Sequence, residues 1–231
     1  MGRRVLAGVA VAALALALGA AAAFADAPGD ALRAAVDKTG HANSARLTLS
    51  QKTTSGARSL ATTASGTLAG SDLDVVVNTD GGAIRRIAKA TTVYEQRPAN
   101  GNAPWTQTTR AQPATTTPFG ALTLRDGTSI GDPKLYASIT DQGTEQLPQG
   151  PARKIVGQLD LNAVGVAMQL GPSERARLAQ MSATVTTWIG ADGTVARYVL
   201  SLVVPGTGGP TTLETTVDLS DLNAPLTINA P

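Results

Sequence analysis

The fold class is decided by the C-terminal stretch Val185 to Pro231, which reads VTTWIGADGTVARYVLSLVVPGTGGPTTLETTVDLSDLNAPLTINAP. Apolar and polar residues alternate along it, and turn signals interrupt it at Asp192-Gly193 and at Gly206 to Pro210. Alternation with a period of two is typical of half-buried strands. The stretch therefore predicts three or four antiparallel strands, the last closed by Leu226 and Ile228, with one apolar and one Thr-rich face.

The residues upstream extend this pattern. Polar turns are predicted at Lys52 to Arg58, Asp80 to Gly82 and Leu147 to Pro151. Strands are predicted at Ala45 to Gln51, Leu60 to Leu68, Leu73 to Asn78, Ala83 to Ala90, Thr91 to Gln96, Trp105 to Thr109 and Arg153 to Leu161. Short helices are predicted at Asp26 to His41 (capped by Asp30), Ile130 to Ile139, Asn162 to Met168 and Ser173 to Met181 (capped by Ser173). The helices are too few for βαβ units, so we expect an α+β fold with one curved antiparallel sheet and helices on its apolar concave face.

The first 25 residues have the features of a secretory signal peptide. Arg3 and Arg4 precede an uncharged apolar run, Val5 to Ala23, and Ala23-Phe24-Ala25 is a small-residue cleavage site. We expect cleavage after Ala25 and a single domain over residues 26–231, secreted or retained in the periplasm or cell envelope. An uncleaved membrane anchor is the alternative, because the apolar run approaches the length that spans a bilayer.

Charge and cysteine content narrow the function classes. The chain has 19 Lys and Arg against 17 Asp and Glu, and removing Arg3 and Arg4 leaves 17 of each sign. A balanced charge gives no electrostatic footprint for nucleic acid or for an anionic membrane surface, so we expect no nucleic-acid partner and at most transient membrane contact. The chain contains no cysteine, which excludes disulfides and a lipid-modified cysteine after the signal peptide.

Catalytic machinery is poorly represented. Gly127-Thr-Ser129-Ile-Gly131 matches the hydrolase pattern G-x-S-x-G, but Asp132-Pro133 follows directly where that motif requires a helix. The only histidine, His41, precedes the serine and sits where a helix is predicted to end. One histidine and no cysteine also argue against a zinc site. We therefore expect a protein that is not an enzyme, with no cofactor and no metal.

Trp105 and Trp188 admit two interpretations. One interpretation is that both fill the core. The other is that Trp105, beside the proline-containing segment Arg97 to Gly120, lines the mouth of a ligand pocket. Aromatic residues make up only 3% of the chain, so its interior is built mainly from Val, Leu, Ile and Ala. Such an interior is compatible with an apolar pocket, and equally with a tightly packed core.

The order of several short pieces resembles the LolA-like superfamily, most closely the actinobacterial LppX/LprA/LprF/LprG lipoproteins. The pieces are the opening helix and strand, Ala31 to Gln51, then Pro104-Trp105, Asp132 to Tyr136, Gly143 to Glu145 leading into Arg153 to Leu161, Trp188 to Gly193, Val217 to Asn223 and the ending Ile228 to Pro231. The resemblance implies a half-barrel sheet that binds acylated lipids or glycolipids between sheet and helices. This chain departs from those lipoproteins because it lacks their lipid-bearing cysteine.

With the expected signal peptide and the missing catalytic groups, the resemblance implies an exported, non-catalytic lipid- or glycolipid-binding carrier of the cell envelope. A periplasmic sensor or regulatory interaction module of the same fold, with an envelope protein partner, is the alternative. The residues expected to line an apolar cavity are Leu47, Leu49, Val75, Val77, Trp105, Ile155, Leu159, Met181, Val185, Leu200 and Val217.

Overall fold

A computed structural model of the chain describes residues 27–99, 102–109 and 129–231. These residues form three α-helices, a short 3-10 turn at Pro133–Leu135 and eleven strands. The helices are α1 (Pro28–Gly40), α2 (Leu161–Ala167) and α3 (Pro172–Leu178). The strands are β1 (Ser44–Ser55), β2 (Arg58–Ala69), β3 (Asp72–Thr79), β4 (Gly82–Lys89), β5 (Thr92–Gln96), β6 (Trp105–Thr109), β7 (Tyr136–Leu147), β8 (Gly150–Leu159), β9 (Ser182–Gly190), β10 (Val195–Val204) and β11 (Thr211–Ser220).

The eleven strands form one antiparallel sheet in the order β6-β5-β4-β3-β2-β1-β11-β10-β9-β8-β7. The first and last strands pair at the centre, and two meanders extend outward from them. The edge strands are β6 and β7; among the described residues they do not pair with each other, so the sheet is open. The expected α+β fold, a curved half-barrel sheet with a helix on one face, is confirmed.

Strand register defines the two faces, because directly opposed residues of antiparallel strands point to the same side. Ile155 opposes Thr187, Thr187 opposes Tyr198, and Tyr198 opposes Val217. Helix α1 packs on this side, where Leu32 and Val36 join Ile155, Ile189 and Val195 in one buried cluster. We call the side that carries α1 the inner face and the other side the outer face.

Helix α1 is fixed at both ends. Leu32, Ala35, Val36 and Thr39 recur at helical spacing and are all buried. The Thr39 hydroxyl donates a hydrogen bond to the Ala35 carbonyl (2.7 Å) and accepts one from the Val195 N–H (2.8 Å). Arg33 pairs with Asp132 at 2.9 Å on the N-terminal half of the helix. The helix therefore covers the inner face along β7, β9 and β10.

Two predicted helix caps are wrong. Helix α1 begins after Ala27 with Pro28 in its first turn, and Asp30 lies within that turn without capping it. In α3 the cap position is Gly171, whose N–H donates to the Glu174 carboxylate at 2.9 Å, so Ser173 is not the cap.

The largest error concerns Ile130 to Ile139, which was expected to be helical. Only Pro133–Leu135 is helical, as a 3-10 turn capped by the Asp132 carboxylate, and Tyr136 starts the twelve-residue strand β7. Because β7 is an edge strand whose residues are mostly exposed, its sequence lacks the apolar alternation of a central strand.

One turn and the chain end also differ from the predictions. Strand β1 continues to Ser55, so the predicted turn from Lys52 shrinks to two residues with Gly56 in the left-handed region (φ 56°). Leu226 and Ile228 form no strand. The segment after β11 instead runs past the start of β1, where the Ser44 hydroxyl donates to the Ala224 carbonyl (2.6 Å), towards β4, where Lys89 donates to the Ile228 carbonyl (2.8 Å).

Candidate functional site

Two parts of the inner face differ in packing, and a further small buried cluster of Ala42, Ala45 and Leu219 lies at the start of β1. Beneath α1, Ile155, Val185 and Ile189 are no more than 5% exposed. The space left there, beside Leu32 and Tyr136, is about 10 Å³, room for at most one water molecule. The Tyr136 hydroxyl donates to the Ile130 carbonyl at 2.7 Å, and burial raises the pKa of that phenol. This part of the inner face is a closed core.

The second part lies beyond α1, on the inner side of β11 and β1 to β4. Leu49 opposes Val217 on one side and Ala64 on the other, and Ala64 opposes Val77. One register step away, Leu47 and Val75 flank Gly66. These side chains are only partly buried within the described structure. We call this set the apolar inner surface: Leu47, Leu49, Ala64, Val75, Val77, Ile84 and Val217.

The cavity residues expected from sequence divide between these parts. Leu47, Leu49, Val75, Val77 and Val217 belong to the apolar inner surface. Leu200 also lies on the inner face, opposite Val185 and Thr215, and Leu159 lies there opposite Tyr136. Ile155 and Val185 are buried in the closed core. Met181 lies outside the sheet, between α3 and β9, where its N–H donates to the Leu178 carbonyl at 3.0 Å.

Trp105 is on the wrong side of the sheet for the expected role at a pocket mouth on the inner face. It opposes Gln96, which opposes Arg85, and this row lies on the outer face. The Arg85 guanidinium stands 5.7 Å from the centre of the indole ring and pairs with Asp74 at 2.8 Å. The residue of β6 that faces inward beside Glu95 is Thr106. Nearness to the proline-containing segment did not determine the face, whereas strand register does.

Trp188 fills the outer-face core. It is 7% exposed and clusters with Leu147 and Ala152. Lys154 Nζ lies 5.2 Å and Arg197 Cζ 5.9 Å from the ring centre, so two cations contact this ring from neighbouring strands.

The inner face also carries a charged cluster that the alternation of the sequence does not predict. Arg86 opposes Val75 and Glu95. Its Nε and Nη2 donate to Glu95 Oε2 at 3.2 and 2.6 Å, and Arg97 Nε donates to Oε1 at 2.5 Å. We call Arg86, Glu95 and Arg97 the inner charge cluster. The hydrogen bond from Arg97, followed by that from Arg86, lowers the pKa of Glu95 to about 2.

A cavity adjoins this cluster. It has a volume of about 300 Å³ and is lined by Arg86, Val93, Glu95, Thr106 and Thr108, all on the inner face. A sequence signal for this arrangement existed. The two-residue turn at Asp80-Gly81 sets Thr79 opposite Gly82, and counting back along the hairpin sets Val75 opposite Arg86.

A second cavity, of about 440 Å³, lies at the end of the sheet where the β7–β8 and β9–β10 hairpins meet the end of β11. The two carboxylates that line it already have hydrogen-bond or ion-pair partners. The Asp192 carboxylate accepts hydrogen bonds from the Thr194 N–H and hydroxyl, and Asp221 pairs with Arg46 at 2.9 Å.

The described part of the G-x-S-x-G match has a local structural role. The Ser129 hydroxyl accepts a hydrogen bond from the Gly131 N–H at 3.1 Å. His41 Nδ1 lies 2.6 Å from the Asp37 carbonyl at the other end of α1. Residues 127 and 128 of the match, like the predicted signal peptide, lie outside the described residues.

The fold and the site define an open antiparallel half-barrel with a helix across part of its inner face and an apolar surface beside it. No protein-family model matches the chain, and no curated protein matches it in sequence. Two crystal structures are similar to it in fold. LprF from Mycobacterium bovis shares 15% sequence identity at a TM-score of 0.53, over 88% of this chain and 96% of that one. The Mycobacterium tuberculosis lipoprotein LppX shares 15% identity at a TM-score of 0.52, over 87% of this chain and 97% of that one.

The predicted resemblance to the LppX and LprF group is thus confirmed at the level of the fold. Within the described residues, no helix is long and apolar enough to cross a membrane.

Proposed function

We propose that this protein is an exported, non-catalytic carrier of the cell envelope that binds an acylated lipid or glycolipid on its apolar inner surface. The observation that carries the proposal is the difference between the two parts of the inner face. Side chains beneath α1 are sealed in a core, whereas Leu49, Val77 and Val217, on the same face, are only partly buried. A row of partly exposed aliphatic side chains facing one way is suited to a long apolar ligand.

The driving force is removal of apolar surface from water. Each methylene group of an acyl chain that becomes buried contributes about 0.8 kcal/mol. The apolar inner surface spans five adjacent strands, β11 and β1 to β4, and neighbouring strands lie about 4.8 Å apart. An acyl chain laid across these strands buries many methylenes at once, and the binding needs no covalent step.

The resemblance to the LppX/LprA/LprF/LprG group supports lipid or glycolipid as the ligand class. In this proposal residues 1–25 are removed after Ala25 during export, and residues 26–231 act as one carrier domain. Since the chain has no cysteine, it has no site for a thioether-linked lipid anchor.

Native mass spectrometry of the protein purified from its own cell envelope tests the proposal. We expect a mass above that of residues 26–231 and a lipid released on denaturation. A protein that is purified without lipid, and takes up no lipid when incubated with vesicles of envelope lipids, contradicts the carrier role.

A further inference from the structure

The inner face changes from apolar to charged along one row of directly opposed residues. Leu47, Gly66 and Val75 on β1 to β3 are followed by Arg86 on β4, Glu95 on β5 and Thr106 on β6. Arg86 lies one strand from Val75 and three strands from Leu47, which is about 14 Å at the usual strand spacing. The apolar inner surface therefore ends directly against the inner charge cluster.

The inner charge cluster has an excess of positive charge. Two guanidinium groups share the single carboxylate of Glu95, and no other described carboxylate pairs with Arg86 or Arg97. The Glu95 side chain is 21% exposed, whereas those of Arg86 and Arg97 are 48% and 61% exposed. A guanidinium carries five N–H donors, and Arg86 directs only Nε and Nη2 to Glu95. Donors and a net charge of one remain available to an anion.

Hydroxyl groups complete the lining. The Thr106 hydroxyl donates to the Glu95 carbonyl at 3.1 Å, and Thr108 lies in the same cavity opposite Val93. The cavity of about 300 Å³ is large enough for a phosphate group and a glycerol unit beside Arg86. Arginine suits a phosphate because its planar fork forms paired, charge-assisted hydrogen bonds.

We propose that Arg86 binds the phosphate headgroup of an anionic lipid whose acyl chains lie on the apolar inner surface, while Arg97 neutralises the charge of Glu95. This inference rests on the proposed function and specifies its ligand class. The headgroup lies between β4 and β6, and the chains extend across β3, β2 and β1. Glu95 holds the two guanidinium groups in place through hydrogen bonds, and its carboxylate does not bind the phosphate.

The test compares two lipids that differ only in the headgroup. Phosphatidylglycerol and diacylglycerol with the same fluorescently labelled acyl chains are titrated into the full-length mature protein. The variants are Arg86→Gln and, as a matched control, Arg85→Gln, whose guanidinium lies on the outer face beside Trp105. Glu95→Gln is the third variant, and thermal unfolding verifies that each one folds.

We expect wild type to bind phosphatidylglycerol at least tenfold more tightly than diacylglycerol. Arg86→Gln should remove that preference without weakening diacylglycerol binding, and Arg85→Gln should leave both affinities unchanged. Glu95→Gln should keep or strengthen phosphatidylglycerol binding, because it removes a carboxylate while both cations remain. A purely structural ion pair predicts instead that Glu95→Gln and Arg86→Gln weaken binding of both lipids equally.

The remaining outcomes separate this inference from the proposed function. Equal affinity of wild type for both lipids, or equal effects of Arg86→Gln and Arg85→Gln, overturns the headgroup site and leaves the carrier role standing. If wild type binds neither lipid, both proposals fail. A competition with glycerol 3-phosphate distinguishes a lipid headgroup from a free phosphate. Displacement of labelled phosphatidylglycerol by millimolar glycerol 3-phosphate assigns the site to free phosphate and overturns the lipid assignment.

Discussion

Arg85 and Arg86 are adjacent in the chain, yet they belong to opposite faces of the sheet. Arg85 pairs with Asp74 and lies over the Trp105 ring on the outer face, while Arg86 pairs with Glu95 on the inner face. Alternation along β4 separates two identical side chains, one on each face. The pair therefore serves as an internal control for any function of the inner face.

Val77 and Val76 form a second matched pair. Val77 lies on the apolar inner surface opposite Ala64 and Ile84, and Val76 lies on the outer face opposite Arg85. A tryptophan at position 77 would occupy space that the proposed acyl chains need. We expect Val77→Trp to reduce uptake of a labelled lipid at least tenfold, and Val76→Trp to change it less than twofold. Equal losses in the two variants, measured on protein with native circular dichroism, would place the ligand elsewhere.

The hydrogen bonds of Thr39 are predicted to stabilise the junction of α1 and β10. Thr39→Val keeps the shape of the side chain but leaves the buried Val195 N–H without its acceptor. A buried donor without a partner costs about 1–3 kcal/mol, so we expect the free energy of unfolding to fall by that amount in urea titrations. Thr48→Val, at an exposed outer-face position, is the control and should change it by less than about 0.5 kcal/mol. A loss in Thr39→Val no larger than in this control would contradict the role of the hydroxyl.

Core packing beneath α1 provides a third prediction. Leu32 is 2% exposed and contacts the closed core, whereas Leu60 on β2 is 61% exposed. We expect Leu32→Ala to lower the free energy of unfolding by about 2–5 kcal/mol, through lost burial and the cavity left behind. Leu60→Ala should lower it by less than about 0.5 kcal/mol. Similar values for the two variants in chemical denaturation would show that α1 is not packed as described.

The pH dependence of Glu95 provides a fourth prediction. Its pKa in the folded protein is lowered to about 2, below the ordinary value of 4.5. A carboxyl group whose pKa is depressed on folding stabilises the protein above its unfolded pKa, and that contribution disappears as the pH falls through the folded pKa. The stability advantage of wild type over Glu95→Gln should therefore be constant above about pH 5.5 and shrink between about pH 4.5 and 2.

A carboxyl-carbon NMR titration measures the pKa of Glu95 directly. Arg97→Gln should raise it towards the ordinary value, since the Arg97 hydrogen bond is the largest cause of the shift. Arg85→Gln, on the outer face, should leave it unchanged. A Glu95 pKa near 4.5 in wild type would contradict the inner charge cluster.

The sequence predicted most of the sheet because central strands have an apolar face that alternates. Strands β9, β10 and β11 were expected from Val185 to Leu219, and the Asp192-Gly193 turn fell where it was predicted. Edge strand β7 was missed because few of its side chains are buried. Leu226 and Ile228 form no strand, because the backbone carbonyls of this segment accept hydrogen bonds from the side chains of Ser44 and Lys89, at the ends of β1 and β4. The segment does not pair along a neighbouring strand.

Part of the candidate site was accessible from sequence in the same way. Alternation placed Leu47, Leu49, Val75 and Val77 on one face, and the structure has them there. Nearness to the proline-containing segment placed Trp105 at the mouth of the expected pocket, but the face of β6 depends on its register with β5, which the connection between these strands does not specify. The hairpin register sets Arg86 opposite Val75, but the role of Arg86 was not predicted. The sequence pattern of a charged residue on a strand is the same whether its side chain is solvated or lines a cavity.

By itself the sequence determined the strand-rich architecture, the apolar alternation and the absence of cysteine, because these are local or compositional properties. Only the tertiary structure decided which half of the inner face is closed by α1 and which half stays partly exposed. It also brought Arg86, Glu95 and Arg97 together at the end of the apolar inner surface. The second outcome depends on the register of the β4–β5 hairpin, which sets Arg86 opposite Glu95. The first depends on contacts between residues distant in the chain: the pairing of β1 with β11 and the packing of Leu32 on Ile155 and Ile189. Such contacts are set by how whole elements pack, which no local pattern records.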